Sequence, residues 1–339
     1  MKIFVTGGTG FIGGYMVRCL SESKHKLVCL ARKTSDTRVL KEVGAEVVIG
    51  DLLDKASLVR GMRGCDWVVD LASNFVFWVP DKSVYEQVNI QGLRNIMESV
   101  LETGVSKIVH VSTEAIYGDA TWPINENSAL GKHCASQYAQ TKREGDQIAW
   151  KMYQEQGLPL VMVYPGGVIG ADDPKAVGRY LRNFALQRMP GQVVVDKPFP
   201  LVYVEDVCEA ILKALEKENN LGEKYFLSAA NLTFGEINHL IAQVADAHLP
   251  ILILPDSVTM VMARMLTWIA DLVKKPPLLD LSVDQVMLMK LGYQFDGTKV
   301  TRELGITYTP IPVAFERALA ETVAQKHMRK SHAHKKVTA

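Results

Sequence analysis

Short apolar runs alternate with segments of helical character from the first residues onward. KIFVTG, KLVCLAR, AEVVIGD, DWVVDLA, KIVHVST and LPLVMVYPG are near-continuous aliphatic runs of strand length. Between them, segments near Gly13–Ser23, Thr37–Val43 and Tyr85–Thr103, and one around Tyr138, read as helices. Strands that are apolar on both faces need cover on both, which is the signature of a parallel sheet flanked by helices. The pattern therefore predicts an α/β fold, a doubly wound parallel sheet. Ligands of such sheets bind beyond the carboxyl ends of the strands.

The alternation stops near residue 170. ADDPKAVGRYLRNFALQRMPG reads as an inserted loop and helix, and VVVDKPFPLVYVEDVCEAILKALEK as a return to the sheet. Shorter, Pro- and Met-rich segments follow from Tyr225 to Tyr308. This gives a sheet domain over 1–170, rejoined at about 193–222, and a smaller discontinuous substrate lobe over 171–192 and 223–325. Leu249–Val273 is the most apolar region, but Pro255, Asp256, Arg264 and Asp271 interrupt it. It falls short of the roughly 20 apolar residues of a spanning helix, so a buried or pocket-lining helix is expected.

Composition narrows the class. The 339 residues are 48% hydrophobic and 22% charged, with a net charge of +1, which fits an ordinary globular protein and gives no reason to expect a nucleic-acid partner. The charge is uneven: 326–339 holds five Lys or Arg and no acid. That segment reads as a disordered, solvated tail, with peripheral contact to an acidic membrane surface as the rarer alternative. Cys19, Cys29, Cys65, Cys134 and Cys208 form no CxxC pair. Reduced thiols are expected, with neither a disulfide framework nor a metal site. A strand directly after Met1 leaves no room for a secretory signal, and a cytoplasmic protein is expected.

Candidate chemistry collects at the strand ends. VTGGTGFIGG places Gly7, Gly10 and Gly13 between the first strand and the first helix. There, glycine permits a tight turn and lets backbone amides approach a pyrophosphate at the positive end of the helix. A purely structural turn is the bland alternative, and the strand–turn–helix context argues against it. About 20 residues on, where an acid usually meets the ribose of NAD, the chain reads CLARKTSD. Arg32, Lys33 and Ser35 would suit the 2′-phosphate of NADP, so NADP is favoured over NAD. Asp51 and Leu52, in GDLLD, fall where the adenine would lie, although an Asp after a strand is also a common helix cap.

KIVHVST ends on Ser112 and Thr113, and YAQTK places Tyr138 four residues before Lys142, on one helix face. Four-residue Tyr–Lys pairs arise by chance, so the pair alone decides nothing. Together with a strand-end hydroxyl it has the parts of an acid–base centre. Thr113 would hold a substrate oxygen, Tyr138 would move the proton, and the Lys142 cation would lower the phenol's pKa.

TGGTGFIG, GDL, YEQVNIQGLRN, VSTEAIYG, YAQTK, YPGGVIG and LVYVEDV, in this order, resemble the extended short-chain dehydrogenase/reductase family, also called the NAD-dependent epimerase/dehydratase family. The resemblance covers residues 1 to about 210 and implies a Rossmann fold. It also implies catalytic roles for Thr113, Tyr138 and Lys142, with Lys142 touching the nicotinamide ribose. Phe11, Ile12, Ala72, Pro165 and Val168 are implied as further cofactor contacts, and Asn89 as a residue near the catalytic centre. Sugar-nucleotide epimerases typically carry an Asn where this chain has Gly167, and an aromatic where it has Pro165. YPGGVIG looks more like the dihydroflavonol reductase, 3β-hydroxysteroid dehydrogenase and hopanoid-associated branches. Asp70 stands where the family often has His.

Phe75, Phe77 and Trp78, in NFVFWVP, with Met260, Met262, Met265 and Trp268, are candidates for a large hydrophobic site, with core packing as the alternative. Arg179 is a candidate polar contact. The functional expectation is an NADP-dependent oxidoreductase that interconverts a ketone and a secondary alcohol on a bulky, largely apolar small molecule. A nucleotide-sugar epimerase or dehydratase with tightly bound NAD, and a non-catalytic dinucleotide sensor, are the alternatives. A homodimer paired through the Tyr85–Thr103 and Tyr138 helices is a family-level expectation.

Overall fold

A computed structural model describes residues 1–337, with side chains as far as Lys326 except that of Ala176. The basic segment 326–339, expected as a disordered tail, continues the helix Ile311–Val337 as far as Val337; its side chains beyond Lys326, and residues 338–339, lie outside the described ones. Among the described residues, twelve strands run in chain order: β1 Lys2–Thr6, β2 Lys26–Ala31, β3 Glu46–Ile49, β4 Trp67–Asp70, β5 Lys107–Val111, β6 Leu160–Pro165, β7 Gly167–Ile169, β8 Gln192–Val193, β9 Pro198–Tyr203, β10 Lys224–Leu227, β11 Ala230–Thr233 and β12 Ile253–Leu254. Seven form one sheet in the order β10-β6-β5-β4-β1-β2-β3, with every pairing parallel. This is the doubly wound Rossmann-like sheet that the apolar runs predict.

Alternation along the strands builds two cores. Phe4, Val28, Val68, Ile108, Met162 and Phe226 point to one face, where the helices Lys55–Met62, Leu93–Thr103 and Gln137–Gln156 cover them. Ile3, Val5, Cys29, Val69, Val109 and Val163 point to the other, beneath the helices Phe11–Glu22, Val204–Glu216 and Thr298–Leu304. A third cluster, with Phe184, Phe199, Phe234, Ile241 and Phe315, is the core of the lobe. The lobe also holds the small sheet β11-β9-β7 and the pair β12-β8.

Several boundaries differ from the sequence expectation. Lys224–Leu227, assigned to the lobe, pairs with β6 as an edge strand of the main sheet. Its Tyr225, Phe226 and Leu227 are fully buried, as a strand covered on both faces requires. In the opposite sense β9, read as a return to the sheet, joins β7 and β11 instead. The Tyr85–Thr103 helix begins at Ser83 and contains a π-helical turn, Gln87–Gly92. The helix Lys55–Met62 has too weak an apolar pattern to be seen by period; the Asp54 side chain caps it by accepting from Ser57 N at 3.3 Å.

The sheet order reverses between β1 and β4, and the chain leaving each strand there borders one crevice. Gly7, just after β1, lies against Leu71, just after β4. This switch point fixes where the functional side chains meet.

Candidate active site

The crevice opens into a cleft of about 540 Å³ that runs from the glycine loop to the lobe. Gly7 has φ +71°, and a Cβ there would lie 2.7 Å from the Leu71 carbonyl carbon. At Gly13 a Cβ would fall 2.0 Å from Gly7 O. Neither position admits a side chain, so the loop backbone presses against the first turn of the helix Phe11–Glu22. That turn has no side-chain cap and no acid, which leaves its N–H groups directed at the cleft for an anion. Gly10, Phe11, Ile12, Asp51, Leu52, Ala72, Pro165 and Val168 line the same cleft, and together they fit a dinucleotide.

Arg32, after β2, is exposed and lines the cleft with Ser35. Lys33 is exposed and does not line it; it sits in the turn closed by Ser35 N donating to Arg32 O at 2.9 Å. Asp36, the one acid nearby that could restore a ribose contact, accepts from Arg38 Nε at 2.9 Å, and those hydrogen bonds hold its carboxyl down at about 2.

Thr113 and Tyr138 meet at the inner end. Thr113 ends the β5 segment and caps the short helix Glu114–Tyr117, accepting from Ala115 N at 3.3 Å. Its hydroxyl donates to Glu114 Oε2 at 2.9 Å. Ser136 caps the helix Gln137–Gln156, accepting from Ala139 N at 3.1 Å, and so sets Tyr138 in the first turn. The Phe75 and Phe77 rings meet Tyr138 edge to face, with centroids at 5.3 and 5.9 Å. Burial, then the Glu114 charge, push the phenol well above its ordinary value, and the Thr113 and Ser73 hydroxyls offset only part of this. Glu114 is itself buried, and desolvation lifts its carboxyl to about 7.

Lys142 takes a different place from the one expected. Its Nζ is 3.3 Å from His110 Nε2 and donates to Val111 O at 3.3 Å, so it points behind the tyrosine rather than into the cleft. It enters a buried polar cluster. His110 Nδ1 pairs with Asp70 Oδ2 at 2.7 Å, Thr6 Oγ1 donates to Asp70 Oδ1, and Asp146 Oδ1 is 3.5 Å from His110 Nε2. Ser112 Oγ donates to Asp146 Oδ2 at 2.6 Å.

Burial and the Lys142 charge oppose protonation of His110, yet the Asp146 and Asp70 carboxylates raise its pKa. The sign follows from the charge count, since two carboxylates face one ammonium and a protonated imidazole makes the cluster neutral. Burial likewise opposes ionisation of Asp70, but the His110 hydrogen bond and charge bring it below its ordinary value. In Lys142 burial dominates and lowers the pKa, against Asp146 and Asp70. Asp70 thus replaces the family's frequent His with an acid whose histidine partner comes from the next strand.

Of the other expected contacts, Phe75, Phe77 and Gly167 line the cleft. Asn89 does not. It is buried in the π-helical turn, donating from Nδ2 to Thr141 Oγ1 at 3.1 Å and accepting on Oδ1 from Asn74 N at 3.0 Å. It thereby ties the cleft-wall loop to the Tyr138 helix. Trp78 turns out of the cleft and donates from Nε1 to Asp271 Oδ1 at 2.8 Å. Arg179 pairs with Asp280 Oδ1 at 2.8 Å. Met260, Met262, Met265 and Trp268 are absent from the wall, and Trp268 is 66% exposed, so the helix Asp256–Val273 is neither buried nor pocket-lining. Its place is taken by Tyr180, Phe199, Phe234, Leu288 and Met289.

The model of the NAD dependent epimerase/dehydratase family matches residues 3–227. The chain belongs to that family. As a member of the epimerase/dehydratase family it has the NAD(P)-dependent oxidoreductase character of the extended short-chain dehydrogenases. Sterol demethylase protein B of Methylococcus capsulatus is 28% identical over 340 residues, covering 94% of this chain and 98% of that protein. A 4-hydroxy-2-methyl-3-oxo-4-farnesyl-3,4-dihydroquinoline-1-oxide ketoreductase of Stigmatella aurantiaca is 26% identical, covering 67% and 68%. The crystal structure of gox2253 superposes with a TM-score of 0.82 at 30% identity, over 96% of this chain and 98% of that one. Beside the lobe residues of the wall and the buried His110 and Asp146, Glu114 is a site residue that reading by motif passes over. A carboxyl inside the apolar run VSTEAIYG is its one signal.

Proposed function

We propose that the chain is an NADP-dependent oxidoreductase that interconverts a ketone and a secondary alcohol on a bulky, largely apolar small molecule. The observation that carries this reading is the aromatic wall. Phe75 and Phe77 touch Tyr138 directly, and Tyr180, Phe199 and Phe234 continue the apolar lining into the lobe. A sugar diphosphate would find few polar partners along it. The Stigmatella relative, whose name describes a ketoreductase for a farnesylated ring, supports the same class. Arg32 and Ser35, with Asp36 held by Arg38, support NADP over NAD. A dinucleotide held at the glycine loop would supply or accept the hydride; Tyr138 would give its proton to the carbonyl oxygen, Thr113 would hold that oxygen, and Lys142 would support the phenol. A homodimer paired through the Ser83–Thr103 segment and the helix Gln137–Gln156 belongs to the same proposal.

Tyr138→Phe tests it. Ketone reduction with NADPH should fall by about 10²–10⁴-fold, the usual loss of a general acid, while NADPH binding by fluorescence titration stays near wild type and exceeds NADH binding. Preserved turnover sinks the assignment. A second reading, a nucleotide-sugar epimerase or dehydratase with retained NAD, draws on Glu114, a second proton-transfer group bonded to Thr113. It requires co-purified NAD and no net consumption of NADPH.

A further inference from the structure

We propose that the outer face of the helix Asp256–Val273 docks on an anionic lipid bilayer. The helix has its sides reversed. Its fully buried residues are the small Thr259, Ala263 and Ala270, whereas Val258, Val261, Met265, Trp268 and Leu272 are exposed. Steps of three and four place these five on one stripe, and from Val258 to Leu272 that stripe runs about 21 Å. Exposed Ile251, Leu252 and Ile253 lead into it at one end. Large side chains scattered singly over a surface need no explanation, but a continuous stripe of this kind marks a contact surface.

Charge selects the occupant. The exposed charges on the helix and just after it are Arg264, Lys274 and Lys275. The helix's carboxylates are engaged elsewhere: Asp271 accepts from Trp78, and Asp256 is 3.4 Å from Lys290 Nζ. A second copy packed face to face about a two-fold axis would set Arg264, at the middle of the helix, against its own counterpart, with no unengaged carboxylate on the helix to answer it. An anionic lipid surface answers all three cations directly. A helix with an apolar face, a tryptophan on that face and flanking cations lies in the plane of the membrane interface. Among the described residues, no helix is long and apolar enough to cross a membrane, so contact is made from one side.

The docking face is also joined to the active-site wall. Besides the Trp78–Asp271 bond, Val283 N donates to Thr267 Oγ1 at 3.0 Å and Ser282 Oγ to Phe77 O at 3.4 Å. The loop that touches Tyr138 is thus hydrogen-bonded to the helix and to the turn that follows it. An apolar substrate dissolved in the bilayer would enter beside that wall; this clause rests on the proposed substrate class, while the docking itself does not.

The test is cosedimentation of the full chain with vesicles of phosphatidylcholine, with and without phosphatidylglycerol, which needs no turnover. Wild type should bind the anionic vesicles more tightly than the neutral ones, and less tightly as salt rises. Because these side chains are exposed, Trp268→Glu/Leu272→Glu should keep the fold, checked by circular dichroism, and lose binding by roughly tenfold or more. Lys274→Glu/Lys275→Glu should abolish the preference for anionic lipid. No binding to either vesicle overturns the proposal. So does binding that survives the Trp268→Glu/Leu272→Glu change, which would assign it to the basic tail. Self-association lost in that variant, without vesicle binding, gives the face to a second copy and also overturns it.

Discussion

The buried cluster behind Lys142 makes a prediction in which a second lesion repairs the first. Asp70 and His110 are 0% and 1% exposed, and Asp146 and Lys142 are nearly as deep. With His110 protonated, two negative and two positive charges cancel. His110→Gln leaves Asp70, Asp146 and Lys142, a net buried charge of one, and removing one partner of a buried pair costs about 3–5 kcal/mol. Asp70→Asn also removes a charge, but His110 can then release its proton and restore neutrality. Its cost is therefore closer to that of one charged hydrogen bond, about 1.5–3 kcal/mol. In the double variant Asp146 and Lys142 balance each other. Adding Asp70→Asn to His110→Gln should leave stability unchanged or raise it, a coupling of about 2 kcal/mol or more at sites in direct contact. Urea unfolding of the four proteins at constant m measures this. Additive losses would refute the charge count. The pH dependence has a defined sign. The His110 contribution is complete below its unfolded pKa, near 6.5, and is lost as pH rises through the raised folded value. Wild type should therefore lose stability as pH rises from about 6.5, and Asp70→Asn should lose less.

Glu114 gives a second pH signature: its carboxyl is lifted from 4.5 to about 7, so its contribution is complete below 4.5 and lost as pH rises through 7, worth about 3 kcal/mol in all. Thermal melts of Glu114→Gln from pH 4.5 to 8 should lack that slope, and an unchanged slope would remove Glu114 as its source. Gly13→Ala sets a Cβ against Gly7 O, and about 1–3 kcal/mol of overpacking predicts dinucleotide binding weakened on the order of 10–100-fold. Calorimetric titration with NADPH reads this directly, and wild-type affinity would contradict the close approach.

How much of this was legible depends on whether a residue's role is local. The glycine loop and the strand-end positions of Asp51, Thr113 and Pro165 follow from period and turn chemistry, because each faces the cleft by virtue of its place at the end of its own strand. Side chains that answer to a distant partner were not legible. Trp78 bonds to Asp271, Arg179 to Asp280 and Asn89 to Thr141, at sequence separations that no periodicity connects. Asp70 could not be interpreted alone, since its meaning lies in His110, one strand away in the sheet. The helix Asp256–Val273 misled by composition. Apolar content predicts burial only if the apolar side faces inward, and here the inward side is made of alanine and threonine.

These two kinds of residue meet at Tyr138. On its cleft side, an aromatic wall and Glu114 disfavour the phenolate, so the ligand-free phenol holds its proton. On its far side the ammonium that would acidify it donates to the Val111 carbonyl and lies 3.3 Å from His110 Nε2. A phenol kept protonated suits the donor role in carbonyl reduction better than the base role in alcohol oxidation. The cluster adds a constraint. Because a protonated His110 repels Lys142 across 3.3 Å, it weakens the ammonium's hold on its rear position. Deprotonation of His110 turns Nε2 into an acceptor and strengthens that hold. In the proposed reaction, support for Tyr138 by Lys142 should therefore decline as His110 titrates, and the pH profile of ketone reduction by wild type against Asp70→Asn would show whether a histidine outside the cleft governs the tyrosine.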